Sequence, residues 1–139
     1  MFFFRVDLSK KNGLGHYSRV KSLISYLKLK DYKIIIDKFP NSTFLENEKK
    51  NIISIYGKKL SFKNEIDDAN KIKGSIKIHK NDIFIKDSYR LNYNWEKKIS
   101  RLCKKVIVID DFSNKKHYAD FYINHSPLFE NLDKEKIKK

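Results

Sequence analysis

The chain has 139 residues with 31 Lys+Arg against 17 Asp+Glu, a formal net charge of +14. That length predicts one domain of ordinary size. A hydrophobic fraction of 40% supplies a core, which excludes a wholly disordered chain, and no apolar run reaches the roughly 18–20 residues of a membrane span. The single cysteine, Cys103, leaves no partner for an internal disulfide and excludes a Cys-rich metal site. Met1-Phe2-Phe3-Phe4 runs directly into Arg5 and Asp7, which reads as a strand and not as a secretion signal. These features together predict a cytoplasmic protein.

The charge is almost all lysine, 27 Lys against 4 Arg, beside 18 Ile and 12 Asn but only 2 Ala and 2 Pro. That is the set of residues an AT-rich coding sequence supplies. Arginine, whose planar fork suits phosphate and base edges, is scarce. The lysines are spread along the chain instead of forming a stripe, so no dedicated nucleic-acid binding is expected, and a basic nucleic-acid module is the least favoured reading.

In chain order, residues 1–7 read as a strand buried on both faces, with Phe2, Phe3, Phe4 and Val6 nearly contiguous. A glycine loop follows, and from His16 the period changes. Tyr17, Val20, Ile24 and Leu27 recur at steps of three and four, an amphipathic helix running to about Lys30. Lys33–Asp37, with Ile34-Ile35-Ile36, is a second buried strand. Strand, loop, helix and strand make a βαβ unit, which implies a parallel sheet. Further on, 42–50 reads as a short helix, Ile52–Ile55 as a strand, 60–72 as a weak helix and Ile76–Ile78 as a minor strand. Ile83–Ile85 is a strand ending at Asp87. Leu91, Trp95, Ile99 and Leu102 share one helical face, with Asn92 or Asn94 as its cap. Val106–Ile109 is a strand stopping at Asp110-Asp111, and Phe121–Ile123 is a last short one. The predicted fold class is α/β, a Rossmann-like parallel sheet flanked by helices over residues 1–130, with a charged tail at 131–139.

Ligands of open parallel sheets bind beyond the carboxyl ends of the strands. That rule selects Gly13-Leu14-Gly15-His16, Asp87-Ser88-Tyr89 and Asp110-Asp111. The glycine loop is neither a dinucleotide fingerprint, since Ser18 stands where a third glycine would fall, nor a Walker loop, since no Gly-Lys-Ser/Thr follows. His16 stands at a helix start, where the positive helix end favours a neutral imidazole, the form a general base needs. The alternative for His16 is a packed first-turn residue. Asp87 and Asp110-Asp111 read equally well as caps and loop anchors. Cys103 reads as a buried structural thiol. His79, His117 and His125 lack zinc-ligand spacing, so no metal and no cofactor are expected.

Arg5-Val-Asp7 followed by Gly13-Leu-Gly15-His16-Tyr-Ser-Arg19 resembles the opening of the UDP-sugar hydrolases of the pseudaminic-acid pathway. Asp87-Ser-Tyr89 with Trp95-Glu96, and Val108-Ile-Asp110-Asp111 with His117, Asp120 and Asn124, are similar to two later segments of that family in the same order. The resemblance implies the N-terminal half of a GT-B-like fold. It implies an enzyme that releases UDP from UDP-2,4-diacetamido-2,4,6-trideoxy-β-L-altropyranose by attack of water at the anomeric carbon, with inversion and without a required metal. It implies His16 as the catalytic base and Asp7, Gly13, Gly15, Arg19, Asp87, Tyr89, Asp110 and Asp111 as substrate-binding residues. The family's second, UDP-gripping domain has no counterpart in these 139 residues. The expected partners are therefore the UDP-sugar and a C-terminal domain or partner subunit, and the chain alone is expected to be inactive. The alternative is a non-catalytic binding or assembly subunit of the same fold.

Overall fold

The structure, a computed structural model, describes residues 1–8, 14–38, 48–57, 63–112 and 115–124. Gly13, His125 and the tail at 131–139 lie outside these residues, as does most of the helix expected over 42–50, of which 48–51 form a 3₁₀ turn. Nine elements are described: β1 (Phe2–Val6), α1 (Gly15–Tyr26), β2 (Tyr32–Ile36), β3 (Ile52–Ser54), α2 (Glu65–Ser75), β4 (Ile83–Asp87), α3 (Tyr93–Ile99), β5 (Lys105–Ile109) and β6 (Phe121–Ile123). All six strands join one sheet in the order β3-β2-β1-β4-β5-β6, and every pairing is parallel. The Rossmann-like α/β fold expected from the sequence is therefore the fold observed. No helix among the described residues is long and apolar enough to cross a membrane.

Side chains alternate across a strand, and that alternation sorts the core into two layers. Phe4 and Val6 of β1, Ile34 and Ile36 of β2, Ile85 and Ile109 pack with Tyr17, Val20 and Ile24 of α1. Their neighbours Phe3, Ile35, Phe84, Val106 and Val108 point the other way, against Ala69 and Ile72 of α2 and Trp95 and Ile99 of α3. Trp95 is fully buried, edge-on to Phe84 at 6.4 Å, and donates its indole N–H to Asp68 at 2.8 Å.

Two expectations need correction. Ile76–Ile78 forms no strand. Its isoleucines pack against the α2/α3 core as an irregular connection, because apolar side chains can be buried without a strand partner. The first helix ends at Tyr26, short of Lys30. Lys28 takes φ +51°, the Leu29 N–H donates to Ile24 O and the Lys28 N–H to Ser25 O, both at 3.1 Å. That is a Schellman stop with lysine in the place glycine usually holds, so the sequence carries no glycine there to mark it.

β1 is the centre of the sheet. From it the chain crosses to β2 on one side and, later, to β4 on the other. The strand order thus reverses between β1 and β4, which opens a crevice at their carboxyl ends.

Candidate functional site at the carboxyl edge of the sheet

α1 begins at Gly15 with no side-chain cap and no acidic residue in its first turn. A Cβ added at Gly15 would meet nothing within 4 Å among the described residues. His16 and Arg19, three residues apart, share one helical face, and both reach the end of β4.

There Asp87, the last residue of β4 and fully buried, receives them together. His16 Nδ1 lies 2.6 Å from Asp87 Oδ1. Arg19 forks onto the same carboxylate, Nε to Oδ2 at 2.8 Å and Nη2 to Oδ1 at 2.5 Å. The third nitrogen of Arg19, Nη1, reaches Asp111 Oδ2 at 3.0 Å. The Tyr89 hydroxyl donates to the same Asp111 oxygen at 2.6 Å. The Tyr89 ring stands edge-on to His16, centroids 4.7 Å apart, and Phe112 stacks edge-on against its other side at 4.9 Å. The Lys115 ammonium donates to the Tyr89 carbonyl at 2.6 Å.

These contacts assign the His16 tautomer. An ionised carboxylate only accepts hydrogen bonds, so the 2.6 Å contact puts a proton on Nδ1. Arg19 Nη2 also lies near Nδ1, at 3.2 Å, but as a donor facing a donor it makes no hydrogen bond there. In the neutral ring Nε2 then carries the lone pair. It has no hydrogen-bond partner among the described residues and is not among the buried orphan atoms, so solvent or a ligand reaches it. The carboxylate thus fixes the orientation of the imidazole and leaves its second nitrogen open. Burial and the bond to Asp111 push the Tyr89 hydroxyl up to about 12, so Tyr89 stays a hydrogen-bond donor at neutral pH. Burial works against the Arg19 charge, yet its bonds to Asp87 and Asp111 raise the group above its ordinary value.

Of the residues singled out from sequence, His16, Arg19, Asp87, Tyr89 and Asp111 come together, with Gly15 beside them. Asp7 and Asp110 do not reach this cluster. Asp7 lies on the α2/α3 side of the sheet, accepting from Ser88 Oγ at 2.8 Å and Arg90 at 2.6 Å. Asp110 caps Phe112 N with Oδ1 at 2.8 Å and turns its other oxygen toward His117. Both follow from strand alternation: Asp7 shares parity with Phe3 and Arg5, while Asp110 and Asp111 are consecutive and must part. Phe112 and Lys115, which frame Tyr89, were not singled out from sequence, and only their closeness to Asp111 in the chain could have marked them.

The fold and this cluster define a Rossmann-like α/β domain with a carboxylate-oriented histidine at its topological switch point. No family model matches the chain, and no curated protein matches it. Among the described residues no group of three or more His, Cys, Asp or Glu could hold a metal ion.

Proposed function

We propose that the chain is the sugar-side, base-carrying domain of a nucleotide-sugar hydrolase that releases UDP from UDP-2,4-diacetamido-2,4,6-trideoxy-β-L-altropyranose, in the synthesis of pseudaminic acid for surface glycans. The observation that carries this reading is the His16–Asp87 contact at 2.6 Å, which leaves Nε2 of the neutral ring as the accepting nitrogen. In the proposed reaction Nε2 takes a proton from water. The water oxygen bonds to the anomeric carbon, the bond from that carbon to the phosphate oxygen breaks, and UDP leaves with the electron pair. Asp87 stabilises the imidazolium that forms. UDP is a good leaving group, so the step needs a base more than an acid, and the base needs room for one water.

The electrostatics of the cluster fit a neutral sugar ring better than a phosphate. The Arg19 charge is met by two carboxylates, Asp87 and Asp111. The diphosphate is therefore expected to be held elsewhere, by a second domain or a partner subunit. Tyr89 and Phe112, the latter exposed, offer an aromatic rim for the apolar side of a deoxy-sugar.

The test is UDP release from the altropyranose donor by the chain joined to a UDP-binding half. The joined protein should turn over, the 139 residues alone should not, and His16→Ala should lower kcat by about 10²–10⁴-fold with little change in KM. Near-normal turnover in His16→Ala would remove the base role and leave His16 as a packed residue at a helix start.

A further inference from the structure

On the opposite face of the same strands lies a second group of charges that the proposed chemistry does not use. Lys86 of β4, Glu96 of α3, Asp110 after β5 and His117 are each at most 1% exposed. Lys86 Nζ donates to Glu96 Oε1 at 2.9 Å and to the Leu91 carbonyl at 2.7 Å. The Tyr118 N–H fills Glu96 Oε2 at 2.6 Å. His117 Nδ1 lies 2.8 Å from Glu96 Oε1, so Nδ1 carries a proton, because the carboxylate can only accept. Nε2 of the same ring faces Asp110 Oδ2 at 3.5 Å. Neither of these two atoms has a hydrogen-bond partner, and both are closed to solvent. The Tyr122 ring, 5.1 Å away, lies over the imidazole, and its hydroxyl donates to the Asp110 carbonyl at 2.8 Å.

Two protonation states can be compared. With one proton, a lone pair on Nε2 faces a carboxylate lone pair in a dry site. The four groups then sum to one negative charge, which burial penalises heavily. With two protons, the charge on the ring faces Asp110 Oδ2 across 3.5 Å as an ion pair, and Lys86 and His117 balance Glu96 and Asp110. We propose that His117 is a positioning residue, held as an imidazolium between Glu96 and Asp110, and that it fixes the strand ends that deliver Asp87 and Asp111 to the candidate site. Glu96 agrees with this: burial works to raise its carboxyl, yet His117 and Lys86 bring it below its ordinary value.

The link to the site is covalent and short. Lys86 immediately precedes Asp87, and Asp110 immediately precedes Asp111. Each of the two carboxylates that grip Arg19 thus hangs from a residue tied down behind the sheet by this cluster. The inference concerns proton count and geometry and holds whichever reaction the site performs.

Long-range ¹H–¹⁵N correlation of the histidine rings in the labelled chain tests it, with His117 assigned through its backbone. The expected result at neutral pH is a His117 ring with both nitrogens protonated. A ring carrying a single proton would overturn the charge assignment. In Asp110→Asn, Oδ1 can still cap Phe112 N, while the charge facing Nε2 is gone. There the Nε2 proton should be lost and the ring-to-ring contacts between Tyr89 and His16 should weaken. Unchanged Tyr89–His16 contacts in that variant, once the second proton is lost, would overturn the positioning role. Both readouts are independent of turnover, so a failure of the hydrolase reading leaves them intact.

Discussion

The two faces of the sheet meet the same strand ends with opposite results. On the α1 face, His16, Arg19, Asp87 and Asp111 form a cluster in which one nitrogen still awaits a partner, and Arg19 and Asp111 keep side-chain exposures of 22% and 19%. On the α2/α3 face most of the charges are closed in, and Arg90, with a side-chain exposure of 37%, is the one that reaches the surface. Arg5 is fully buried and gives its guanidinium to Asp68, Asp37 and the Val6 carbonyl. Arg90 then ties Asp37 to Asp7, and Lys86, Glu96, His117 and Asp110 form the second closed group. Consecutive residues split between the two: Lys86 from Asp87, Asp110 from Asp111. One face uses charge to hold the crevice in shape, and the other presents charge to whatever enters it.

The comparison can be broken most severely from the closed face. Asp68→Ala leaves the buried Arg5 guanidinium with Asp37 as its one remaining carboxylate among the described residues and also removes the partner of the Trp95 indole. It should cost about 3–5 kcal/mol of stability, the scale of breaking a buried ion pair by removing one partner. Urea unfolding measures it, and a loss below 1 kcal/mol, the scale of a surface pair, would show that the face is not closed.

Asp87→Asn addresses the open face. The amide can no longer hold a proton on Nδ1 by accepting alone, so the tautomer is released and turnover of the joined enzyme should fall by about 10²–10⁴-fold. A loss of activity with Nδ1 still protonated in the ring spectrum would separate the tautomer from the effect.

Acid distinguishes the faces in a graded way. Burial tends to raise Asp37, but Arg5 and Arg90 outweigh it and bring the group below its ordinary value. Glu96 is lowered for the same kind of reason. A carboxyl depressed in the folded state contributes stability that is complete above its unfolded value, about 4, and is lost as pH falls through the lower folded value. The urea midpoint should therefore lose these contributions below about pH 4, and Asp37→Asn should flatten part of that fall.

The smallest effect is expected at Gly15. An alanine there meets no neighbour among the described residues, so stability should rise by no more than about 0.5–1 kcal/mol, the ordinary helical gain over glycine. If the space beside the helix start receives substrate, KM should rise in the joined enzyme while the urea midpoint does not fall. An unchanged KM would mean that the space beside the helix start is not used.

Much of this architecture was legible because buried parallel strands leave nearly unbroken apolar runs such as Phe2–Val6, Ile34–Ile36 and Val106–Ile109, and because the strand ends of an open sheet single out His16, Asp87 and Asp111. The stop at Lys28 was not legible, since the Schellman turn formed without its usual glycine. The separation of Asp110 from Asp111, and of Asp7 from His16, could have been read from strand parity. The partners of the buried charges could not, because Arg5 and Asp68 stand 63 residues apart and only the packed sheet brings them together.

The central position of β1 sets an order in time. Chains emerge from synthesis N-terminus first, at roughly 5–20 residues per second, so β1, α1 and β2 can assemble before β4 exists. His16 then waits for Asp87, 71 residues later, and Arg19 waits for Asp111, 92 residues later. Contacts of such long range form slowly because the intervening loop must close first. A nascent chain stalled before residue 83 holds every residue of the first βαβ unit and still lacks the carboxylate that orients its histidine. The candidate site is thus complete only after β4 and β5 have joined the sheet, because the central strand must gain its second neighbour before Asp87 and Asp111 can meet the α1 side chains.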